Sequence, residues 1–219
     1  MITDIVHLDI VDRLPPLARA DSVGWRKIGG ALTTAEGYRL FRTPRQLVGW
    51  HGLLRGPLRI PRNCFILWLA ILERLSTLDR AWWLGLDSTC ILCSTGEVET
   101  HSHLFFGCEY SKACLRFLER EVRFRVPRFD WQRTITWASR RWRGKHLWNA
   151  AYRALFTSVV YHIWMERNKR RFGNTATTAE HTARICNEQI RILLVGPEMR
   201  LNVATSLLFH VWKIPWHAP

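Results

Sequence analysis

The 219-residue chain is 47% hydrophobic and 23% charged with a formal net charge of +14, a balance that excludes a disordered tail and fits one compact body, either an ordinary domain or a small metal-stabilised unit with helical extensions. Its longest apolar run, Cys64 to Leu72, is too short for a bilayer span of about 20 residues. The first residues, "MITDIVHLDIVDRLPP", hold three aspartates and no cationic start before an apolar block; no secretory signal or Arg-rich transit peptide is expected, and the expectation is an intracellular protein, in nucleus or cytoplasm, with no membrane partner.

Residues 1–20 end in "LPPLARA" and read as a poorly ordered lead-in. A Gly29–Gly30 turn precedes Thr34, Ala35 and Glu36, a capped start for a short helix through about Arg42. Pro57 and Pro61 set off "RNCFILWLAILERL", where Phe65, Leu69, Leu72 and Leu75 follow helical spacing with Trp68 beside them. Ser76 or Thr77 is placed to cap a second helix, "LDRAWWLGL", ending near Gly85. Beyond the cysteine-rich stretch, Ser111 is placed to cap a helix through about Glu121, and "VRFRV" alternates like a half-buried strand closed by Pro127. Residues 122–147 read as a basic, aromatic-rich connector. From Trp148 to about Phe172 there is no Pro or Gly, and Trp148, Tyr152, Leu155, Val159 and Ile163 share one face of a long helix. A last helix starts with a capping-box pattern, Thr177 and Glu180, and buries Ala179, Ala183, Cys186, Ile190 and Leu194 before Gly196 and Pro197 stop it. The fold class is therefore mainly α: a small zinc-stabilised Cys/His loop flanked by helices, a long helical C-terminal part at 148–219, and little strand.

"CILCSTGEVETHSHLFFGC", Cys90 to Cys108, concentrates the chemistry. Two cysteines separated by two residues can reach one ion from a tight turn, and zinc favours four tetrahedral thiolate and imidazole ligands. Cys90, Cys93, His103 and Cys108 give C-x2-C-x9-H-x4-C, a Cys3His set of the closed, structural kind with no position left for a reactive water. His101 competes with His103. The four-residue spacing of His103 to Cys108 favours His103, leaving His101 behind the ligands or facing solvent. In a reducing compartment the remaining cysteines, Cys64, Cys114 and Cys186, read as small buried residues.

The charge is unevenly placed. Residues 1–109 hold 12 Lys/Arg against 11 Asp/Glu, residues 110–171 hold 16 against 4, and residues 172–219 hold 4 against 3. Such a basic segment suits an anionic partner, with nucleic acid the usual one. Within it, Phe117, Phe124, Trp131, Trp137 and Trp142 alternate with arginines, the equipment with which single strands are bound: cations on phosphates and aromatic faces on bases. Arg140, Arg141, Arg143 and Lys145 are the expected phosphate contacts, and Trp142 the expected exposed stacking residue; most other tryptophans read as core. His146 and His162 are single histidines in helical context and read as structural side chains.

Further residues extend the pattern: Asp21 and Trp25 ahead of "GGALTTAEGY", Trp50, "IPRNCFILWLAILERLSTLDR", "CILC" with "ETHSHLFFGC", and "IWMERNKRRF" downstream. Taken together, these resemble the zinc-binding domain that follows the polymerase in LINE-type (non-LTR) retrotransposon reverse transcriptases of plants, closely over about 21–118 and more loosely over 148–172. The sequence departs from the family where a Lys usually stands near Arg62 or Asn63 and a Trp near Cys114 or Leu115; neither departure involves a proposed ligand. The resemblance implies a zinc-binding domain at 21–121 and a place at the carboxy-terminal end of a polyprotein, here without its polymerase. Polymerase chemistry needs paired carboxylates for two metal ions, and the chain has no Asp-Asp pair. The expectation is a non-enzymatic, zinc-containing accessory module that binds RNA or single-stranded DNA. The alternative is a detached remnant whose uncovered tryptophans bind a reverse transcriptase, another protein, or nothing specific.

Overall fold

The computed structural model describes residues 26–27, 30–31, 38, 47–80, 85, 87–127, 130–173, 175–195 and 203–215, and the chain divides into two compact units, 1–46 and 47–219. In the first unit two short strands, β1 (Arg26–Lys27) and β2 (Gly30–Ala31), pair antiparallel with Arg26 opposite Ala31. The lead-in at 1–20 and the helix expected from Thr34 lie outside the described residues, except that Tyr38 is helical.

The second unit is helical. Its described helices are α1 (Pro61–Ile71), α2 (Glu109–Val122), α3 (Trp131–Arg141), α4 (Leu147–Gly173), α5 (Ala179–Leu194) and α6 (Val203–Val211). A 3-10 turn, Gly49–Leu53, precedes them. At a rise of 1.5 Å per residue α4 is about 40 Å long, and no proline or internal glycine interrupts it. From Ala150 to Val160 every residue but Tyr152 is buried, so α4 is enclosed on nearly all sides and serves as the axis of the unit. α1, α5 and the 3-10 turn pack against it, and α2 packs on α5.

The buried face of α1 differs from the expected stripe. Asn63, Leu67, Ala70 and Ile71 are buried, while Phe65 and Leu72 are exposed. This helix is apolar on every side, so periodicity alone cannot choose its inner face. Packing on α4 chooses it, and Asn63 is fixed by donating to Gln189 Oε1 on α5 at 3.2 Å. Of the second expected helix the described residues show a 3-10 turn, Leu78–Arg80; residues 81–84 lie outside the described set. Helix α2 starts one turn before the expected cap, with Cys108 as N-cap. α5 is capped by Thr178, whose hydroxyl accepts the His181 N–H at 3.2 Å, rather than by Thr177. "VRFRV" keeps its alternation, Val122 and Phe124 in and Arg123 and Arg125 out, but pairs with no strand among the described residues. Arg123 instead takes a left-handed conformation, φ 55°, that ends α2.

The segment expected as a basic, aromatic-rich connector, 122–147, contains helix α3. Asp130 caps α3 by accepting the Arg133 N–H at 2.8 Å, and Trp131, Thr134, Ile135 and Ala138, at i, i+3, i+4 and i+7, are all buried. Trp131 stacks on Phe106 and meets Phe105 at a centroid distance of 5.0 Å. Trp142 is 3% exposed and packs on Phe124, Trp137 and Phe156 at 5.4, 5.2 and 5.5 Å. The expectation that Trp142 is an exposed stacking residue therefore fails. Immediately after α3 the chain turns inward, and burying an indole among aromatic rings outweighs leaving it in water. Cys114 and Cys186 are buried and Cys64 half-buried. Among the described residues no helix is long and apolar enough to cross a membrane.

Candidate metal centre

Two local structures bring the Cys/His residues together. In the first, Thr89 and Val98 form an antiparallel bridge, the Cys90 N–H donates to the Glu97 carbonyl at 2.8 Å and the Glu99 N–H to the Ser88 carbonyl at 2.9 Å. The residues between them must reverse, which Gly96 allows at φ 74°. In the second, the Thr100 hydroxyl accepts the His103 N–H at 3.0 Å, and the chain then widens into a π turn, His103–Gly107. There the Cys108 N–H bonds to the His103 carbonyl, an i to i+5 link that sets the two residues side by side. Ser111, expected as a helix cap, is buried in the first turn of α2 and donates its hydroxyl to the Leu104 carbonyl.

The result is a cluster in which the ligand atoms of Cys90, Cys93, His103 and Cys108 all lie within 4.8 Å of one another. Cys90 Sγ is 3.9 Å from Cys108 Sγ, and Cys93 Sγ is 3.4 Å from His103 Nε2. A tetrahedron with metal–sulfur bonds of about 2.3 Å and metal–nitrogen bonds of about 2.05 Å has edges of about 3.8 Å between sulfurs and about 3.6 Å from sulfur to nitrogen. These two separations are close to those edges, the whole set lies within 4.8 Å, and both are far too long for a disulfide, about 2.05 Å. Cys90, His103 and Cys108 are buried and Cys93 half-buried, so the cage is closed on most sides. The residues fit a tetrahedral cation.

The electrostatics point the same way. The hydrogen bond between the Cys90 and Cys108 sulfurs is the chief cause holding Cys90 well below the usual thiol range, against the opposing effect of burial. The same shared proton, with burial, pushes Cys108 up. Burial alone would lower His103, but its contacts with Cys93, Cys90 and Glu97 raise it overall. One proton held between two sulfurs is what a cation would displace. Glu97 Oε2 lies 2.8 Å from His103 Nδ1, fixing the tautomer that turns Nε2 toward the sulfurs.

His101 points elsewhere. It is buried between Phe105 and Trp131, ring centroids 6.3 and 6.2 Å away, with Nδ1 3.4 Å from Thr77 Oγ1. It neither faces solvent nor joins the cluster, and burial first of all lowers its pKa.

A carboxylate that spacing did not single out anchors the loop. Glu99 is fully buried and accepts from Arg167 of α4 at 2.7 and 3.0 Å and from the Leu78 N–H at 3.1 Å. Arg167 also donates to the Ser76 carbonyl, and Arg170, one turn later, to the Leu92 carbonyl between the two cysteines. The two motifs "ETHSHLFFGC" and "IWMERNKRRF" thus meet in space, and the loop is bolted to α4. The expected phosphate contacts Arg140, Arg141, Arg143 and Lys145 are all exposed.

Residues 32–114 match the family model described as zinc-binding in reverse transcriptase. No curated protein and no solved structure matches the chain.

Proposed function

We propose, from the reverse-transcriptase-type zinc-binding domain that residues 32–114 form, that this chain is a structural-zinc module that binds single-stranded nucleic acid, RNA or DNA, and derives from a LINE-type retrotransposon reverse transcriptase like those of plants. The observation that carries the zinc assignment is the compact Cys3His cluster of Cys90, Cys93, His103 and Cys108, with all four ligand atoms within 4.8 Å of one another. Zinc there would cross-link the turn at 90–93 to the start of α2, contributing folding free energy rather than a reactive water. The module has no polymerase chemistry of its own, since the chain lacks the Asp-Asp pair that chemistry uses.

Nucleic-acid binding is supported by the segment 112–171, which carries +12 of the +14 charge. Its exposed Arg140, Arg141, Arg143 and Lys145 make no ion pair with any carboxylate among the described residues. The competing proposal of an adhesive, Trp-covered remnant is weakened, because Trp131 and Trp142 are core residues and only Trp137 of the three is half-buried, beside Arg133, Arg140 and Arg141.

The test is metal analysis of the purified chain together with titration of short single-stranded RNA and DNA at several salt concentrations. One zinc per chain is expected, lost on Cys93→Ser or Cys108→Ser. The logarithm of affinity should fall with log salt by about 0.7 per phosphate neutralised, and replacing the four cations by Gln should flatten that slope by about 2 to 3 units. Stoichiometric zinc in Cys108→Ser, or an affinity and slope unaltered by the fourfold replacement, would refute the respective half of the proposal.

A further inference from the structure

Between the 3-10 turn Gly49–Leu53 and helix α3 lies a cleft of about 780 Å³, closed at one end by the turn at Trp142–Gly144 and floored by Arg153 of α4. This is within the size range of small-ligand sites. Four guanidinium groups line it, those of Arg55, Arg140, Arg143 and Arg153, and no carboxylate does. None of the four forms an ion pair among the described residues.

Arg153 is the unusual member. It is 8% exposed, and its only described acceptors are two backbone carbonyls, Trp142 at 2.5 Å and Gly144 at 3.0 Å, both taken by Nη1. A guanidinium has five N–H donors and stays charged in proteins. Burial without a compensating anion penalises that charge, visible as a lowered pKa with desolvation as its cause. A buried, uncompensated cation at the bottom of an all-cationic cleft is what an anion-binding site looks like before its anion arrives. The walls add what a nucleotide needs besides charge: half-buried Trp50, with Ile135 behind it, offers apolar surface, while the Thr136 and Ser139 hydroxyls donate to the Gln132 and Ile135 carbonyls and can only accept.

We infer that this cleft seats one phosphate of a bound single strand on Arg153, Arg55 and Arg143, with the adjoining base against Trp50, an assignment that rests on the nucleic-acid reading above and locates its anchor point. It replaces Trp142 as the stacking residue, and it recruits Arg55 and Trp50, which lie outside the basic segment. A diffuse charged surface would have no use for either.

Arg55→Glu and, as a matched charge change outside the cleft, Arg74→Glu are titrated with a fluorescein-labelled oligouridylate, with zinc content and far-ultraviolet circular dichroism checked for each. Arg153 is left in place because its loss would disturb the Trp142–Gly144 turn. Arg55→Glu should weaken binding by about tenfold or more at low salt and reduce the salt slope by about 0.7, whereas Arg74→Glu should shift neither appreciably. Independently, an oligonucleotide carrying 4-thiouridine should cross-link under ultraviolet light to Trp50 or His51. If Arg55→Glu behaves like Arg74→Glu and the cross-links map only to residues 140–145, the cleft is overturned while nucleic-acid binding stands. If the unaltered protein binds neither RNA nor DNA single strands, the parent reading falls and this occupant falls with it.

Discussion

Replacing Glu99 by Ala should be among the most damaging single changes in the second unit. The Glu99 carboxylate has no exposed surface and Arg167 is 4% exposed on its side chain. Removing the carboxylate takes away three contacts to Arg167, at 2.7, 3.0 and 3.1 Å, and leaves the Leu78 N–H without its acceptor. The guanidinium keeps the Ser76 carbonyl and Asn168 Oδ1, which supply hydrogen bonds but no opposite charge. Breaking a buried pair from one side costs about 3–5 kcal/mol, chiefly because of the charge left behind. In a chain of this size each kcal/mol moves the melting midpoint by about 2–4 °C, so Glu99→Ala should lower it by roughly 6 to 20 °C. Arg167→Met should cost about as much by stranding Glu99. Combining Arg167→Met with Glu99→Ala should cost less than the sum of the two single changes, with a coupling of about 2 kcal/mol or more, because neither charge is then stranded. The assay is thermal and urea unfolding at fixed zinc, with Glu180→Ala as reference, since the Glu180–Arg184 pair is exposed on both sides and worth at most about 1 kcal/mol. A Glu99→Ala loss no larger than that of Glu180→Ala, or strictly additive single changes, would show that the pair is no clasp.

Two further changes probe the site and the core separately. Glu97→Gln removes the charge that orients His103 but no ligand, so zinc affinity, measured by competition with a chromogenic chelator, should fall by about tenfold, the low end for such partners because Glu97 is largely exposed; an unchanged affinity would mean that His103 is oriented by the π turn alone. Trp142→Ala should destabilise the unit by about 3–5 kcal/mol in urea unfolding, as a large core truncation does, while Trp142→Phe should recover much of that loss; a near-neutral Trp142→Ala would place the indole outside the core.

Where the sequence was legible, one local rule sufficed. The C-x2-C pair needs only a tight turn, and the long helix needs only the absence of Pro and Gly between Trp148 and Phe172. Where it was not, the decisive contacts were distant in the chain. The π turn that aligns His103 with Cys108 follows no periodicity. Glu99 and Arg167 are 68 residues apart, and nothing local in either suggests a buried ion pair. The inner face of α1 could not be chosen because all its faces are apolar, so a partner helix decided it. By contrast, α3 carries local signals, Asp130 in capping position and the Trp131, Thr134, Ile135, Ala138 spacing, set among arginines whose charge pattern overlays the helical period.

Helical period also explains what the basic segment is. Aromatic residues interleaved with arginines suggest a surface where both are displayed, yet a helix of period 3.6 separates residues that the sequence places side by side. In α3 and the turn after it, burial takes Trp131, Ile135 and Trp142 inward and leaves Arg133, Arg140, Arg141 and Arg143 outside. Interleaving therefore yields an apolar underside and a cationic outer face, on which half-buried Trp137 is the aromatic side chain left beside Arg133, Arg140 and Arg141. Further aromatic surface comes from the 3-10 turn that packs against α3 and brings Trp50 to the edge of that face. The nucleic-acid interface proposed for this fold would therefore be composite, with charge from α3 and α4 and aromatic surface from Trp50 of the 3-10 turn as well as from Trp137. In that proposal Arg55 adds to the charge of the interface although it lies far outside the basic segment, which is why its reversal tests the arrangement more sharply than any change among the arginines at 140–143.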